Sequence, residues 1–341
     1  MLYVGLDYHL RSSAICVLDH NGNKIAARNV RGSWEKVIEE LTKVKEGSPE
    51  RMSVCFEANC GYGHLYDQLR KVASKVTVAH PGQVRLIFRS KRKNDRIDAE
   101  KLAKLLHLDE VPPVWVPNEE FRQWRQTIEY RHRLVAKRAR VKNEIRALLR
   151  GMGMRSPRRL FNGKGLDWLR QLEMPDELAA LKRDMLIDEL EGHVGRIAMV
   201  EKTLNRKNKT NPAVQLLMTI PGIGPRTAEC LVAYIGDPSR FTNTNKVASY
   251  FGLVPSLDAS GGTAHYGHIT RQGPATARKL LVEAAWAGVR TSDKIRSYFE
   301  RIKKGDPDRK KIAIVATAHY LLRVSLALLR TGEVWEEMPL E

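Results

Sequence analysis

The stretch LYVGLD, residues 2–7, decides the fold of the first part of the chain. Leu2, Val4 and Leu6 recur at every second position, which is the repeat of a β-strand and places Asp7 on the opposite face. A second strand is predicted over residues 13–18. It leads to Asn21-Gly22, the strongest short-range hairpin signal, and so to a third strand over residues 24–30.

Strands and helices alternate in the following segment. Residues 52–56 and 76–79 are predicted strands, and residues 33–45 and 61–73 are predicted helices, the first of them capped by Ser33. The segment DRIDAEKLAKLLH at residues 95–107 has helical periodicity, and its apolar stripe contains Ile97, Leu102, Leu105 and Leu106. Hairpin-linked strands followed by this alternation predict an α/β domain, in which helices cover a mixed sheet.

The rest of the chain is predicted to be mainly helical. Residues 119–149 and 166–205 form two long helical patterns, the second interrupted near Pro175, and residues 206–211 form a polar linker. Long polar-faced helices favour a coiled-coil-like assembly surface. We therefore predict three domains, over residues 1–112, 113–206 and 207–341, and a chain of 341 residues is long enough for two or three.

The composition indicates a soluble protein that meets a polyanion. The chain has 58 Lys and Arg against 39 Asp and Glu, a formal charge of +19, and nucleic acid is the leading candidate partner. The four cysteines form no C-x-x-C pair, so neither a disulfide framework nor a structural zinc site is predicted, and a reducing cytosol fits. No secretory signal is recognised. The apolar run over residues 312–329 is predicted to be a buried helix, because His319 and Arg323 interrupt it.

Four acidic residues fall at the ends of predicted elements. Asp7 ends the first strand and Glu57 the fourth, whereas Asp95 and Asp98 open a helix and share one of its faces. Converging carboxylates repel one another unless cations lie between them, and such oxygen ligands suit Mg²⁺. Two ions roughly 4 Å apart can hold the attacking and leaving oxygens of a phosphodiester. The alternative is that these are ordinary capping and surface acids.

Basic side chains crowd the approach to this acidic helix, at Arg85, Arg89, Lys91, Arg92, Lys93 and Arg96. Basic side chains beside an acidic pocket would attract a polyanionic substrate, so Arg92 and Lys93 are candidate nucleic-acid contacts. The alternative is that this basic cluster is a solvated loop. The long helix over residues 119–149 is also basic. Its Arg131 and Arg138 are candidate contacts to structured RNA, which is recognised largely through shape and phosphate contacts.

Glycines define two further segments. The sequence IPGIG at residues 220–224 is typical of a helix–hairpin–helix turn, in which Gly222 and Gly224 let backbone N–H groups approach a phosphate. A tight turn between packed helices is equally expected. No G-K-[ST] follows, so ATP-driven chemistry is not indicated. Residues 258–262 are predicted to form a flexible loop with one hydroxyl, Ser260, which by itself is more typical of a turn.

Together these motifs resemble one family. Asp7 in YVGLDYH, Glu57 in FEANCGYG, and Asp95 and Asp98 in KNDRIDAEKLA are similar to the Asp–Glu–Asp–Asp (DEDD) signature of a group of bacterial insertion-sequence transposases, the one-ten/eleven-eleven group. The segments IPGIGPRTAECLVAYIGDPSRF, YFGLVP, ASGG and HITRQG match the second half of those proteins in the same order. The resemblance covers nearly the whole chain and is weakest in the helical middle.

The resemblance implies a fold and a mechanism that composition and spacing do not show. It implies a ribonuclease-H-like N-terminal domain, similar to Holliday-junction resolvases, with two Mg²⁺ ions at the four acids. It implies a DNA recombinase guided by a structured non-coding RNA, the bridge RNA, which pairs with donor and target DNA. A serine of the C-terminal domain, here Ser260, would form a phosphoserine link to DNA. A homodimer or homotetramer is expected, with a composite site between protomers, in the bacterial cytoplasm and with no membrane partner.

Two positions depart from the family pattern. The family's loop often carries a second hydroxyl near the nucleophile, whereas Gly261-Gly262-Thr263 follows Ser260 here, so Ser256 is a weaker rival. Arg271 stands where a lysine is usual, and both Arg271 and Arg278 are expected to contact phosphate. Two other functions stay open: a junction-type metal-dependent endonuclease that uses water, and a non-catalytic nucleic-acid-binding protein.

Overall fold

The chain forms two compact units in the computed structural model, Met1–Arg122 and Gln123–Glu341. The structure describes residues 1–59, 61–88, 94–260 and 263–336, and for residues 258–260, 263 and 264 it describes the backbone alone. The predicted α/β domain lies in the first unit, and the second unit is mainly helical. The division into three domains at residues 112 and 206 stays a prediction.

A five-stranded mixed sheet forms the centre of the first unit. Its strands are β1 (Leu2–Tyr8), β2 (Ser12–Leu18), β3 (Lys24–Arg31), β4 (Met52–Glu57) and β5 (Lys75–Ala79). They lie in the order β3-β2-β1-β4-β5. β2 is antiparallel to β1 and β3, whereas β1, β4 and β5 run parallel. The five predicted strands and the mixed sheet are therefore confirmed.

One face of the sheet is covered by α1 (Trp34–Glu46) and α2 (Tyr62–Val72). Buried side chains from alternate positions of β1 and β4 pack in this core: Leu2, Val4, Leu6, Met52, Val54 and Phe56. Ser33 precedes α1 as predicted, but its hydroxyl contacts the Glu35 carboxylate and does not cap the helix. A short helix that the sequence did not predict, α3 (Pro81–Ile87), follows β5.

The opposite face of the sheet is covered by α4 (Asp95–His107). The helix approaches β1 most closely at Gly5, where an added Cβ would lie 1.9 Å from the carbonyl oxygen of Ala99. Strand alternation places Asp7 on this same face. The prediction that Ile97 belongs to the apolar stripe of α4 is wrong, since 44% of its surface is exposed. Ile97 precedes the buried Ala99 by two residues, about 200° around the helix.

Two long helices, α5 (Glu119–Gly151) and α7 (Glu177–Thr210), are connected through the shorter α6 (Gly163–Gln171). The three helices share a core whose buried members include Val141, Ile145, Leu149, Leu169, Leu186, Ile187 and Leu190. The two predicted long helices are therefore confirmed. The predicted linker over residues 206–211 is wrong, because α7 continues to Thr210. Asn208 is buried there and donates to Glu229 at 2.6 Å, so a tertiary contact overrides the local polarity.

The remaining helices of the second unit are α8 (Pro212–Leu217), α9 (Pro225–Ile235), α10 (Thr244–Tyr250), α11 (Ala275–Thr291), α12 (Asp293–Lys303) and α13 (Lys310–Thr331), with 3₁₀ turns at Pro238–Arg240 and Pro307–Arg309. β6 (Pro255–Ser260) and β7 (Thr263–Ile269) form an antiparallel pair. α13 and the turn before it are long and apolar enough to cross a membrane by length and composition. In this structure α13 packs on α11 and α12, with Leu321, Leu322 and Leu326 fully buried, as a core helix does.

Candidate metal centre and nucleic-acid surfaces

Asp7 and Asp95 come together at one edge of the sheet. Asp7 lies near the end of β1, and Asp95 is the first residue of α4, whose N-cap Asn94 accepts a hydrogen bond from the backbone N–H of Arg96 at 3.0 Å. One ligand atom each from Asp7, Asp95 and His9 all lie within 4.8 Å of one another. Atoms at this spacing need to move little to share one divalent cation, so the donor set fits a metal.

Negative charge is concentrated around Asp7. Burial raises the pKa of the Asp7 carboxyl above its ordinary value, and the charges of Asp95 and Asp98 raise it further. His9, whose Nε2 lies 3.5 Å from Asp7 Oδ2, acts in the opposite direction. A carboxylate that is costly to ionise in the folded protein gains most from a bound cation. A bound cation would offset this cost, and the metal site at these acids stays a prediction.

Asp98 and Glu57 lie outside this group of three. Asp98 follows Asp95 by one turn and forms an ion pair with Lys101 at 3.0 Å. Glu57 ends β4; because Leu6 pairs with Phe56 in the parallel register, Asp7 and Glu57 occupy the next positions on the two strands. Alternation places Glu57 on the face that α4 covers. The structure thus brings two of the four predicted acids within ligand spacing, and Glu57 to the same end of the neighbouring strand.

His9 belongs to this candidate group of ligands and was not predicted from the sequence. The available signal was its spacing, because side chains two residues apart along an extended chain share a face. His9 would offer a metal an imidazole nitrogen, whereas Asp7 and Asp95 would offer carboxylate oxygens. Mg²⁺ prefers oxygen ligands, whereas imidazole suits transition metals such as iron, nickel and zinc.

The predicted basic approach falls only partly within the described residues. Arg92 and Lys93 lie outside them, so their nucleic-acid contacts stay predictions. Arg85 on α3 is exposed. Arg96 reaches across to β3, where its Nε donates to the side-chain oxygen of Asn29 at 3.3 Å.

Ser260 is the last residue of β6, and its backbone pairs with Thr263 at the start of β7. The predicted loop over residues 258–262 is therefore strand as far as Ser260, because pairing with β7 satisfies its backbone. Gly261 and Gly262, which separate the strands, lie outside the described residues. Ser256 is exposed on the same strand, and its Oγ would lie 2.5 Å from a Cβ added to Gly267.

Known transposases match both regions that carry these residues. The model described as the Transposase IS116/IS110/IS902 family matches residues 214–300, and a DEDD transposase model of IS110 type matches residues 4–154. A probable family 20 transposase of Pseudomonas aeruginosa is 30% identical over 273 residues, which cover 78% of this chain and 79% of the relative. The chain belongs to the IS116/IS110/IS902 family of transposases. This confirms the insertion-sequence transposase predicted from the motifs.

The similarity to two other proteins covers most of the chain. The transposase for insertion sequence element IS1111A of Coxiella burnetii is 27% identical over a region that covers 84% of this chain and 78% of the relative. The pilin gene-inverting protein of Moraxella bovis is 24% identical over 98% of each chain. The similarity therefore includes the helical middle, where the sequence motifs are weakest.

The two glycines of the 220–224 turn have different surroundings in the transposase. Gly222 has a φ of +88°, and a Cβ there would lie 2.4 Å from the carbonyl oxygen of Ala284 and 2.5 Å from the nitrogen of Gly288 in α11. Gly224 is the N-cap of α9, and among the described residues nothing lies within 4 Å of an added Cβ. Gly222 is thus required for helix packing, whereas the space beside Gly224 is open to a ligand such as a phosphate.

Arg278 holds the segment that precedes α11. Its Nη1 donates to the carbonyl oxygens of Phe251 and Gly273, each at 3.2 Å, and contacts that of Gln272. Arg271 is exposed, with a φ of +56°. Arg278 therefore positions the segment, and Arg271 is the more accessible of the two predicted phosphate contacts.

Arg131 and Arg138 lie two turns apart on α5 with different partners. The Nε and Nη2 atoms of Arg131 donate to Oε1 of Glu201 in α7, at 2.9 and 2.5 Å. Arg138 forms no ion pair within the described part of the chain. Arg131 is therefore engaged in joining the two long helices, and Arg138 is the better candidate for an external anion.

Proposed function

We propose that this transposase is an RNA-guided DNA recombinase in which Mg²⁺ and Ser260 act on one DNA phosphodiester. A structured bridge RNA pairs with donor and target DNA and so selects both. The enzyme works as a homodimer or homotetramer in the bacterial cytoplasm, at the nucleoid. The observation that carries this proposal is the convergence of Asp7 and Asp95, under the added charge of Asp98, at the end of β1.

The arrangement of the first unit supports a ribonuclease-H-like assignment. The central strand β1 carries Asp7 at its end, the parallel neighbour β4 carries Glu57, and α4 lies across the same face with Asp95 and Asp98 in its first turn. Acids from three separate elements thus reach one edge of a mixed sheet. A rigid scaffold of this kind fixes charged ligands before substrate arrives.

Asp7, Glu57, Asp95 and Asp98 are the residues proposed to hold two Mg²⁺ ions, with His9 beside them. Bound Mg²⁺ would stabilise negative charge on the transferring phosphoryl group. The close contact of α4 with Gly5 keeps Asp95 near Asp7, so the acids are held together without reorganisation. Because the pKa of Asp7 is raised, protons compete with the cation as the pH falls.

Ser260 is proposed as the nucleophile. Its Oγ forms a bond to the DNA phosphorus as the bond from that phosphorus to a deoxyribose oxygen breaks. The hydroxyl proton passes to a base, and the freed deoxyribose oxygen takes up a proton. One phosphate ester replaces another, so no nucleoside triphosphate is needed, in agreement with a sequence that carries no P-loop motif. Attack by the hydroxyl of a second DNA strand then releases Ser260.

The basic surface of α5 is proposed to bind the guide RNA. Its exposed cations are Arg133, Lys137, Arg140, Arg146 and Arg150. Such a surface offers phosphate and 2′-OH contacts without base readout. If about ten phosphates are neutralised, the logarithm of the binding constant falls with the logarithm of salt concentration with a slope near −9 on duplex DNA.

A covalent adduct tests the nucleophile. The full-length transposase is incubated with Mg²⁺, guide RNA and end-labelled donor and target DNA, and is then denatured and resolved on a gel. We expect a labelled protein–DNA adduct that Ser260→Ala abolishes and that Ser256→Ala, on the same strand, retains. Free cleaved ends without an adduct would instead identify the water-dependent endonuclease. An adduct that requires Ser256 would reassign the nucleophile.

RNA guidance is tested separately from the chemistry. The pairing loops of the guide RNA are changed to match a new target, and the recombination junctions are sequenced. We expect the junctions to move to the new target. Junctions that do not change with the RNA sequence would contradict guidance while leaving the serine chemistry intact.

A further inference from the structure

A cavity of about 580 Å³ opens between α10, α12 and α13 in the second unit. Its walls carry two tyrosines, Tyr298 and Tyr320, and three cations, Lys294, Arg301 and Arg323. Among the described residues, no acidic side chain lines it. Its volume lies within the range of about 300–1,000 Å³ that is typical of small-ligand sites.

The tyrosines form a stacking surface in this cavity. The rings of Tyr298 and Tyr320 are stacked, with centroids 4.6 Å apart and planes inclined by 17°. The guanidinium carbon of Arg301 lies 5.1 Å from the Tyr298 centroid. Nucleobases that are not paired stack on aromatic rings and on guanidinium planes, whatever their sequence. The wall therefore has the chemistry that an unpaired base requires.

Two of the cavity's cations, Arg301 in α12 and Arg323 in α13, are not neutralised by the acids of their own helices. In α12, Asp293 pairs with Arg296 at 2.6 Å and Glu300 pairs with Lys303 at 3.2 Å, and these four residues lie outside the lining. Within the described part of the chain, Arg301 and Arg323 form no ion pair, and both are exposed. Guanidinium groups beside a stacking surface match a phosphate that adjoins a base.

We propose that this cavity binds one unpaired nucleotide of a single-stranded nucleic acid, with the base against Tyr298 and Tyr320 and the adjoining phosphate at Arg301 and Arg323. The ligand chemistry is that of a nucleotide, and its source is either an unpaired RNA position or a displaced DNA strand. Ser297 also lines the cavity, and its hydroxyl can distinguish the two by bonding to a 2′-OH. The site requires neither the guide RNA nor the Ser260 chemistry, so it stands independently of the proposed recombinase.

Photo-crosslinking with short, unstructured oligonucleotides tests the site. The full-length transposase is mixed with an oligonucleotide that carries one 5-iodouracil, in an RNA and a DNA version, then irradiated and digested for mass spectrometry. We expect the crosslinked peptides to contain Tyr298 or Tyr320. Tyr298→Leu keeps an apolar side chain and should lower the crosslink yield on the α13 peptide by about 5- to 150-fold, the effect of losing one base–aromatic stack.

A matched pair of charge variants separates this site from general attraction to the basic protein. Arg301→Gln/Arg323→Gln should lose the crosslink. Arg290→Gln/Lys311→Gln removes the same charge from exposed positions outside the lining and should retain it. A stronger crosslink with the RNA version assigns the nucleotide to RNA, and a stronger one with the DNA version assigns it to DNA. Crosslinks confined to peptides outside α12 and α13, or retained by both double variants, would overturn the proposal.

Discussion

The carbonyl oxygen of Ala99 in α4 lies directly over Gly5 in β1, where a Cβ on Gly5 would stand 1.9 Å from it. Asp95 precedes Ala99 by about one helical turn, and Asp7 follows Gly5 by two residues. The contact between backbone atoms therefore sets the distance at which the two acids meet. The packing of α4 against Gly5 and the position of the candidate ligand Asp7 are therefore coupled through β1.

Gly5→Ala should displace α4 and with it the metal centre. An added methyl group at such a distance forces a backbone shift, which typically costs about 1–3 kcal/mol of stability. We expect a lower apparent Tm and a weaker rise in Tm on addition of Mg²⁺, both measured by differential scanning fluorimetry. Gly47→Ala is the matched control, because its φ is −77° and an added Cβ comes no closer than 3.4 Å to a neighbour. A Gly5→Ala protein that melts and responds to Mg²⁺ like the wild type would contradict the coupling.

Asp7→Asn should remove the response to Mg²⁺ without destabilising the metal-free protein. Burial, Asp95 and Asp98 raise the pKa of Asp7, so the folded protein holds this proton more tightly than the unfolded chain does. Without metal, the wild type therefore loses stability relative to the variant as the pH rises through this pKa. Near neutral pH in EDTA, we expect the Tm of Asp7→Asn to equal or exceed that of the wild type. Added Mg²⁺ should raise the wild-type Tm only.

The control for Asp7 is another aspartate of the same unit. Asp109 is 90% exposed and lies 3.5 Å from Lys75. Asp109→Asn should keep the full rise in Tm with Mg²⁺. If Asp7→Asn keeps that rise as well, Asp7 is not a metal ligand.

The strands and the position of the acids could be predicted because both depend on a local two-residue repeat. Leu2, Val4 and Leu6 face one core, so Asp7 necessarily faces the other side, and the parallel register then aligns it with Glu57. The helical pattern of residues 95–107 was also sufficient to place Asp95 and Asp98 in one first turn.

Features that depend on distant contacts could not be predicted in this way. Residues 206–210 are polar and resemble a linker, but Asn208 is buried against Glu229, which lies 21 residues later. The strand that ends at Ser260 requires pairing with β7. Its glycine-rich sequence predicts a loop and gives no sign of this pairing. The role of Gly222 in packing depends on Ala284 and Gly288 of α11, which are more than 60 residues away in sequence.

Arg131→Gln should lower the stability of the protein, whereas Arg138→Gln should weaken its binding of RNA. Arg131 joins α5 to α7 through Glu201, so its loss should lower the free energy of unfolding, by about 1 kcal/mol for a partly exposed pair. Arg138 forms no ion pair in the described part of the chain, so its loss should leave the Tm unchanged and weaken RNA binding in a filter assay. If Arg131→Gln weakens RNA binding and Arg138→Gln leaves RNA binding unchanged, this assignment of roles is reversed.

Glu229 in α9 is buried, with 1% of its surface exposed. It accepts a hydrogen bond from Asn208 Nδ2 at 2.6 Å, and its Oε1 lies 3.2 Å from Arg226 Nη1. Burial raises its pKa to about 7, although Arg226 and Asn208 act in the opposite direction. The folded transposase therefore keeps this proton to near-neutral pH, whereas the unfolded chain releases it around the ordinary value of 4.5.

Glu229→Gln, which imitates the protonated acid, should become increasingly stable relative to the wild type as the pH rises from about 4.5 to about 7, and the difference should then level off. The sign follows because in that range the unfolded wild type loses the proton and the folded protein retains it, so ionisation favours unfolding. Urea denaturation at a series of pH values measures the difference. Glu300→Gln, at a half-exposed residue paired with Lys303, is the control for removing a carboxylate from the same unit. A Glu229→Gln difference that does not vary with pH would mean that Glu229 is ionised in the folded protein throughout this range, with Arg226 compensating for its burial.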